Sequence, residues 1–148
     1  MTKIFVVCGF PGSGKTSYIK KHIKKNDLVF DYDEIQAVLT FQPKHLENQE
    51  VKPYLIDILK NMIKMAKNDN QINTLWIIRT VPDESFQSLL QGCDVEFLYI
   101  NKTVFECLDQ ISNDPERNDS DKNWYVLLMN LQNEFMKGAF KICTFVND

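Results

Sequence analysis

Short apolar runs alternate along this chain with stretches of helical period, and polar, turn-forming residues separate them. Lys3 to Cys8 is continuous, apolar and rich in β-formers up to Gly9, the pattern of a strand buried on both faces. Leu28-Val29-Phe30, Leu75 to Ile78 and Val95 to Ile100 repeat that pattern, and Lys141 to Val146 is a candidate last strand. Between them lie helices: Lys15 to Lys25, with Ile19 and Ile23 one turn apart, and Glu34 to Leu39 as helix or turn. A long helix opens near Pro53 and carries Leu55, Ile58, Leu59, Met62 and Ala66 on one face, ending in the polar Asn68 to Asn73 stretch. Asp83 can cap a helix over Glu84 to Gln91 that Gly92 ends, and Thr103 to Ser112 and Trp124 to Met136 are further helices. Phe41 to Gln49 is irregular, and the polar segment Asn113 to Asn123, with Pro115 and Arg117, reads as a loop.

Strands alternating with helices predict an α/β fold, a three-layer sandwich whose mainly parallel sheet is covered on both faces. With 148 residues and 44% hydrophobic content, one domain over residues 1–148 is expected. The formal net charge of -3 argues against non-specific wrapping of duplex nucleic acid, though a small basic cleft for one phosphate or strand end remains compatible with it. Cys8, Cys93, Cys107 and Cys143 form no C-x-x-C pair, so neither a zinc site nor a disulfide framework is expected, and Cys8 reads as a small core residue. Scattered thiols, an opening strand in place of a signal peptide and no long apolar stretch predict a cytoplasmic protein without a membrane span.

The chemistry concentrates in Gly9-Phe10-Pro11-Gly12-Ser13-Gly14-Lys15-Thr16, which fits G-x-x-x-x-G-K-S/T between a strand and a helix, with Ser17 following. Glycines let backbone N–H groups turn against phosphate oxygens, and the helix N-terminus adds its dipole. Lys15 can reach the β- and γ-phosphates, and the Thr16 hydroxyl can ligate Mg²⁺. Gly9 to Ser17 are therefore the expected binding residues for a nucleoside triphosphate, ATP with Mg²⁺.

The form GFPGSGKT, with Pro11 before Gly12, resembles the small P-loop kinases rather than motor ATPases or GTPases. Phe30-Asp31-Tyr32-Asp33-Glu34-Ile35-Gln36 is similar to the segment after the second strand in the kinase domain of bacteriophage polynucleotide kinase. That resemblance implies that Asp33 activates a 5′-hydroxyl acceptor. Arg79-Thr80-Val81-Pro82, Glu106-Cys107, Asp114-Pro115-Glu116-Arg117 and Trp124 also resemble a group of small phage-encoded P-loop proteins described as ATP-binding or ATPase. For a phage protein the compartment would be the host cytoplasm.

Beyond the loop, Asp33 lies just past a strand end, where it can take a proton from a hydroxyl or hold a water on Mg²⁺; the plainer alternative for Asp31 or Asp33 is a helix cap. Arg79 ends a strand where many P-loop NTPases carry an aspartate. Its guanidinium can hold an acceptor phosphate, or it is a surface arginine. Arg117 falls in a segment resembling a kinase lid, and Gln110 stands where related kinases often carry a further arginine. Lys20, Lys21, Lys24 and Lys25 read as a solvated basic face, Trp76 and Trp124 as core residues, and His22 and His45 receive no role. The catalytic set expected is Lys15, Asp33, Arg79 and Arg117, with Thr16 and Asp33 on the metal. The expected activity is transfer of the ATP γ-phosphoryl group to a nucleotide-like or nucleic-acid 5′ acceptor. The alternative is a non-kinase ATP-binding or slow ATPase module that acts through a protein partner.

Overall fold

The computed structural model describes residues 1–68, 71–118 and 122–148. Its elements are β1 (Lys3–Cys8), α1 (Lys15–His22), β2 (Asp27–Phe30), α2 (Tyr32–Thr40), α3 (Lys52–Asn68), β3 (Thr74–Arg79), α4 (Glu84–Leu89), β4 (Asp94–Ile100), α5 (Val104–Ser112), α6 (Pro115–Asn118), α7 (Trp124–Met136) and β5 (Thr144–Val146). The strands form one five-stranded sheet in the order β2-β3-β1-β4-β5. Every pairing in it is parallel, so the sheet expected to be mainly parallel is wholly so.

Right-handed crossovers decide which face each helix covers. The step from β1 to β2 crosses the sheet in one direction, and all later steps run in the other. α1 therefore covers one face and the remaining helices the opposite one, which gives the three layers. The core follows this division. Val7, Ile19, Trp76 and Ile100 cluster beneath α1, while Ile4, Val6, Cys8, Phe30, Leu59, Ile63, Leu75, Ile77, Phe86, Cys107, Ile111 and Leu128 pack on the other face. Residues of β1 alternate between the two clusters, as the pleat requires of a strand buried on both sides.

Local chemistry sets the helix ends. Asp31 is the N-cap of α2 and accepts from the Glu34 N–H at 3.4 Å, so of the two neighbouring aspartates it is Asp31 that caps. Asp83 caps α4 through the Phe86 N–H at 2.9 Å, and Thr103 with Glu106 forms a capping box on α5. The first helix stops at His22 rather than Lys25, because Ile23 is already extended and Asp27 Oδ2 accepts from the Lys24 N–H. The segment expected to be a loop over 113–123 begins with the short helix α6, where Pro115 opens the turn and Asp114 Oδ1 accepts from the Glu116 N–H. The middle of that segment, 119–121, and residues 69–70 of the polar stretch after α3 lie outside the described residues. Trp76 is buried as expected and donates its indole N–H to Asp27 Oδ2 at 3.1 Å. Among the described residues no helix is long and apolar enough to cross a membrane.

Candidate active site

The loop from Gly9 to Gly14 leaves the C-terminal end of the central strand β1 and enters α1. Its first residue is tied to the neighbouring strand end, since the Gly9 N–H donates to the Thr80 carbonyl at 3.3 Å. Gly12 has φ +80, and a Cβ there would lie 2.7 Å from the Cys107 carbonyl oxygen and 2.9 Å from Ile111 Cγ1. Gly9 has φ +153, and its missing Cβ would meet Ser13 Oγ at 2.7 Å. Both positions need glycine twice over, for conformation and for close approach. The Phe10 ring turns away from the loop into the core, edge-on to Tyr99, Phe135 and Phe140. Of Phe10 only the backbone serves the loop: its carbonyl accepts from the Ser13 N–H and from Lys15.

These features suit a polyphosphate. Gly14, the N-cap of α1, offers no side chain to the first turn, and no acidic residue stands there to occupy the positive end of the helix dipole. Among the described residues the buried Ser13 Oγ has no hydrogen-bond partner. Lys15 Nζ donates to the carbonyls of Gly9 at 2.8 Å and Phe10 at 3.0 Å. Burial lowers the Lys15 pKa to about 8, and the Arg117 charge pushes in the same direction. A cation held against its preference beside a second cation is poised for an anion that neutralises both.

The loop forms the floor of a cleft of about 670 Å³, lined by Pro11 to Ser17 together with Asp33, His45, Arg79, Gln110, Arg117, Lys122 and Trp124. Thr16 stands in the first turn of α1 and lines this cleft. Among the described residues no group of three His, Cys, Asp or Glu side chains gathers into a metal cage.

Asp33 sits in the first turn of α2, with Oδ2 3.2 Å from His45 Nδ1. Burial pushes the Asp33 carboxyl up, but the hydrogen bond from His45 and the positive charge around it, Lys122 and Arg117 included, more than reverse this, and its pKa lies below the usual aspartate value. Asp33 is thereby an ionised acceptor. Arg117 donates from Nε to His45 Nε2 at 3.3 Å, and its guanidinium lies 5.5 Å from the centre of the Trp124 ring. The Trp124 indole N–H in turn donates to the Arg117 carbonyl at 3.0 Å. Trp124 is therefore half core, half cleft wall, where the sequence reading placed it in the core.

Arg79 reaches the cleft but commits its guanidinium locally. Nε donates to the Val81 carbonyl and Nη2 to Asp83 Oδ2, both at 3.1 Å, and the group stacks 4.2 Å above the Phe86 ring. Lys15, Asp33, Arg79 and Arg117 thus share one cleft, although they come from four separate stretches of chain. Sequence reasoning gave no part to His45, Lys44 or Lys122. Lys44 binds Glu34 of α2 and, at 3.3 Å, Glu116 of α6. No periodicity marks these residues; the only sequence signal was a Lys-His pair in an irregular stretch flanked by charge.

No family model matches the chain, and no curated protein matches it in sequence. Solved structures do. A chain of the Pnkp1/Rnl/Hen1 RNA repair complex superposes with a TM-score of 0.71 at 19% identity, over 92% of this chain and 46% of that one. This chain thus spans less than half the length of that neighbour. The Deinococcus radiodurans tunicamycin resistance protein follows with a TM-score of 0.60 at 17% identity, over 99% of this chain and 86% of that one. Shikimate kinase from Acinetobacter baumannii gives 0.56 at 14% identity, over 100% and 83%. With a wholly parallel sheet in this strand order and a phosphate loop joining its central strand to the first helix, the chain has the fold of the P-loop kinases.

Proposed function

We propose that the chain is a phosphotransferase that moves the γ-phosphoryl group of ATP to a hydroxyl on a nucleotide-like acceptor or a nucleic-acid 5′ end. The observation that carries this reading is the placement of an ionised Asp33 in the same cleft as the phosphate loop and two further cations, Arg117 and Lys122. A carboxylate across a phosphate site from Lys15 is what an acceptor hydroxyl needs to become a nucleophile.

In this reading Gly12 to Thr16 hold the triphosphate through backbone N–H groups, and Lys15 offsets the charge on its β- and γ-oxygens. Mg²⁺ bound at Thr16 would add electrostatic stabilisation of the phosphates. Asp33 accepts the acceptor's proton as the acceptor oxygen bonds to the γ-phosphorus. The bond from that phosphorus to the β,γ-bridging oxygen breaks, leaving ADP. Arg117 offsets the charge of the transferring group from the lid side. Fold likeness to a chain of an RNA repair complex makes a nucleic-acid 5′ end the first acceptor to try.

The test uses the purified chain with Mg-ATP and a panel of nucleosides, nucleotides and 5′-hydroxyl DNA and RNA oligonucleotides. Asp33→Asn should lower turnover by about a hundredfold or more while ATP affinity stays within a few-fold, as expected when a general base is removed. Unchanged turnover in Asp33→Asn would defeat the role of Asp33. No transfer to any acceptor by a wild-type chain that binds ATP would favour a nucleotide-binding module acting through a partner protein.

A further inference from the structure

His45 holds a costly conformation in a place that makes use of it. It lies in the stretch between α2 and α3, and its φ of 66 puts a bulky residue in the left-handed region. Such a backbone is unfavourable for a residue with a side chain and persists only where the surroundings enforce it. Here they do. Buried Gln36 donates to the neighbouring Leu46 carbonyl at 2.6 Å, and Lys44 joins Glu34 on one side to Glu116 on the other. The His45 side chain is 10% exposed, with the Trp124 ring edge-on at 6.0 Å.

Both ring nitrogens have partners, and one of these fixes the proton. Arg117 Nε can only donate, so His45 Nε2 must present its lone pair at the 3.3 Å contact. The ring proton then sits on Nδ1, which points at Asp33 Oδ2 across 3.2 Å.

We propose that His45 is a positioning residue: in its Nδ1–H tautomer it bridges the acceptor-side carboxylate Asp33 to the lid arginine Arg117. The bridge rests on the phosphotransferase reading for its purpose, though not for its existence. It fixes the Asp33 carboxylate by one oxygen, so that Oδ1 receives the acceptor's proton. It also makes the acceptor side and the lid side one unit, because displacing Arg117 removes the partner that selects the tautomer facing Asp33. The Asp33 carboxylate and the placement of Arg117 on α6 are thereby coupled through a single imidazole.

Two measurements test this. Imidazole nitrogen and carbon shifts of histidine-labelled protein, recorded at about pH 8 with no nucleotide, report the tautomer, and His22→Gln assigns the His45 signals. The expected result is the Nδ1–H tautomer, moving toward Nε2–H in Arg117→Ala. An Nε2–H tautomer or an imidazolium in the wild-type protein would overturn the bridge, whatever the enzyme's activity.

The second measurement is kinetic. His45→Ala should lower kcat by about tenfold to a hundredfold, the usual loss when a reacting group is misplaced by an ångström, with KM for ATP within about twofold. His45→Asn restores a donor where Nδ1 stood and should regain much of kcat. Equal losses in the Ala and Asn variants would reduce His45 to a space-filling residue. Should the wild-type protein phosphorylate no acceptor while the tautomer is as expected, the bridge stands and the phosphotransferase reading fails.

Discussion

The buried amide of Gln36, only 4% exposed, donates to the carbonyl of Leu46 at 2.6 Å and so ties the irregular segment after α2 back onto the helix it leaves. The Gln36→Leu variant keeps most of the volume but leaves that carbonyl without its partner. We expect a loss of about 1–2 kcal/mol in chemical denaturation, the usual cost of one such bond with an unpaired group left behind. Because Leu46 adjoins His45, kcat should fall while ATP affinity holds. If proteolysis within 41–51 is no faster in the variant, the segment is secured by other means.

Lys15 makes nucleotide affinity depend on pH. In the free chain burial depresses its pKa to about 8, and a bound triphosphate favours the charged form and raises that value. The lysine is thus charged in both states below about pH 8, and above it binding must take up a proton. Affinity for ATP without added metal should fall as pH rises beyond about 8. Calorimetry in buffers of different ionisation enthalpy measures the proton uptake directly. Lys15→Arg should lose the pH dependence, since guanidinium stays protonated. An affinity that is constant up to about pH 10 in the wild type would contradict the linkage.

Gly12→Ala should abolish nucleotide binding and lower stability by about 1–3 kcal/mol, because the new Cβ meets the Cys107 carbonyl and Ile111 as well as an unfavourable φ. Gly138→Ala is the control. It carries similar backbone strain at φ +91, but its nearest neighbour is Lys141 Cδ at 3.7 Å. That variant should cost about 1 kcal/mol and leave binding intact. Equal nucleotide affinity in both variants would show that the close approach at Gly12 does not matter.

Arg79 and Asp83 form a partly exposed ion pair, 32% and 52% accessible, so breaking it should change stability by less than about 1 kcal/mol. Asp83→Asn retains an oxygen to cap α4 and releases the guanidinium. If Arg79 orients an acceptor phosphate, Arg79→Lys should raise acceptor KM several-fold, since an ammonium cannot replace the planar fork. A neutral Arg79→Lys result would assign Arg79 to packing on Phe86 and the β3–α4 turn.

The legible part of this molecule was written in contiguous residues. Gly9 to Thr16 declare a phosphate loop because covalent spacing alone places the glycines, the lysine and the helix N-terminus together. The runs Ile4–Cys8 and Leu75–Ile78 declare buried strands because no solvated strand is apolar at every position. The cap Asp83 could also be read, lying within one turn of the amide it serves, whereas Thr103, expected to open a helix, turns out to cap it. The split between Asp31 and Asp33 was legible only as a leaning, the cap for Asp31 and chemistry for Asp33, because both suit a cap; the backbone path shows that Asp31 takes it while Asp33 turns to His45.

The sequence by itself determined the strands, the alternation that makes the sheet parallel and the glycine-rich loop between β1 and α1, since these depend on neighbours along the chain. Tertiary structure alone decided what surrounds that loop. His45 meets Arg117 across a separation of 72 residues, and neither has a periodicity or spacing that forecasts the other. The irregular stretch carrying His45 and the polar stretch carrying Arg117 become one wall only when crossovers of fixed hand bring α2, α6 and α7 over the same end of the sheet. A pairwise distance across such a wall is set by packing, and no local pattern encodes it.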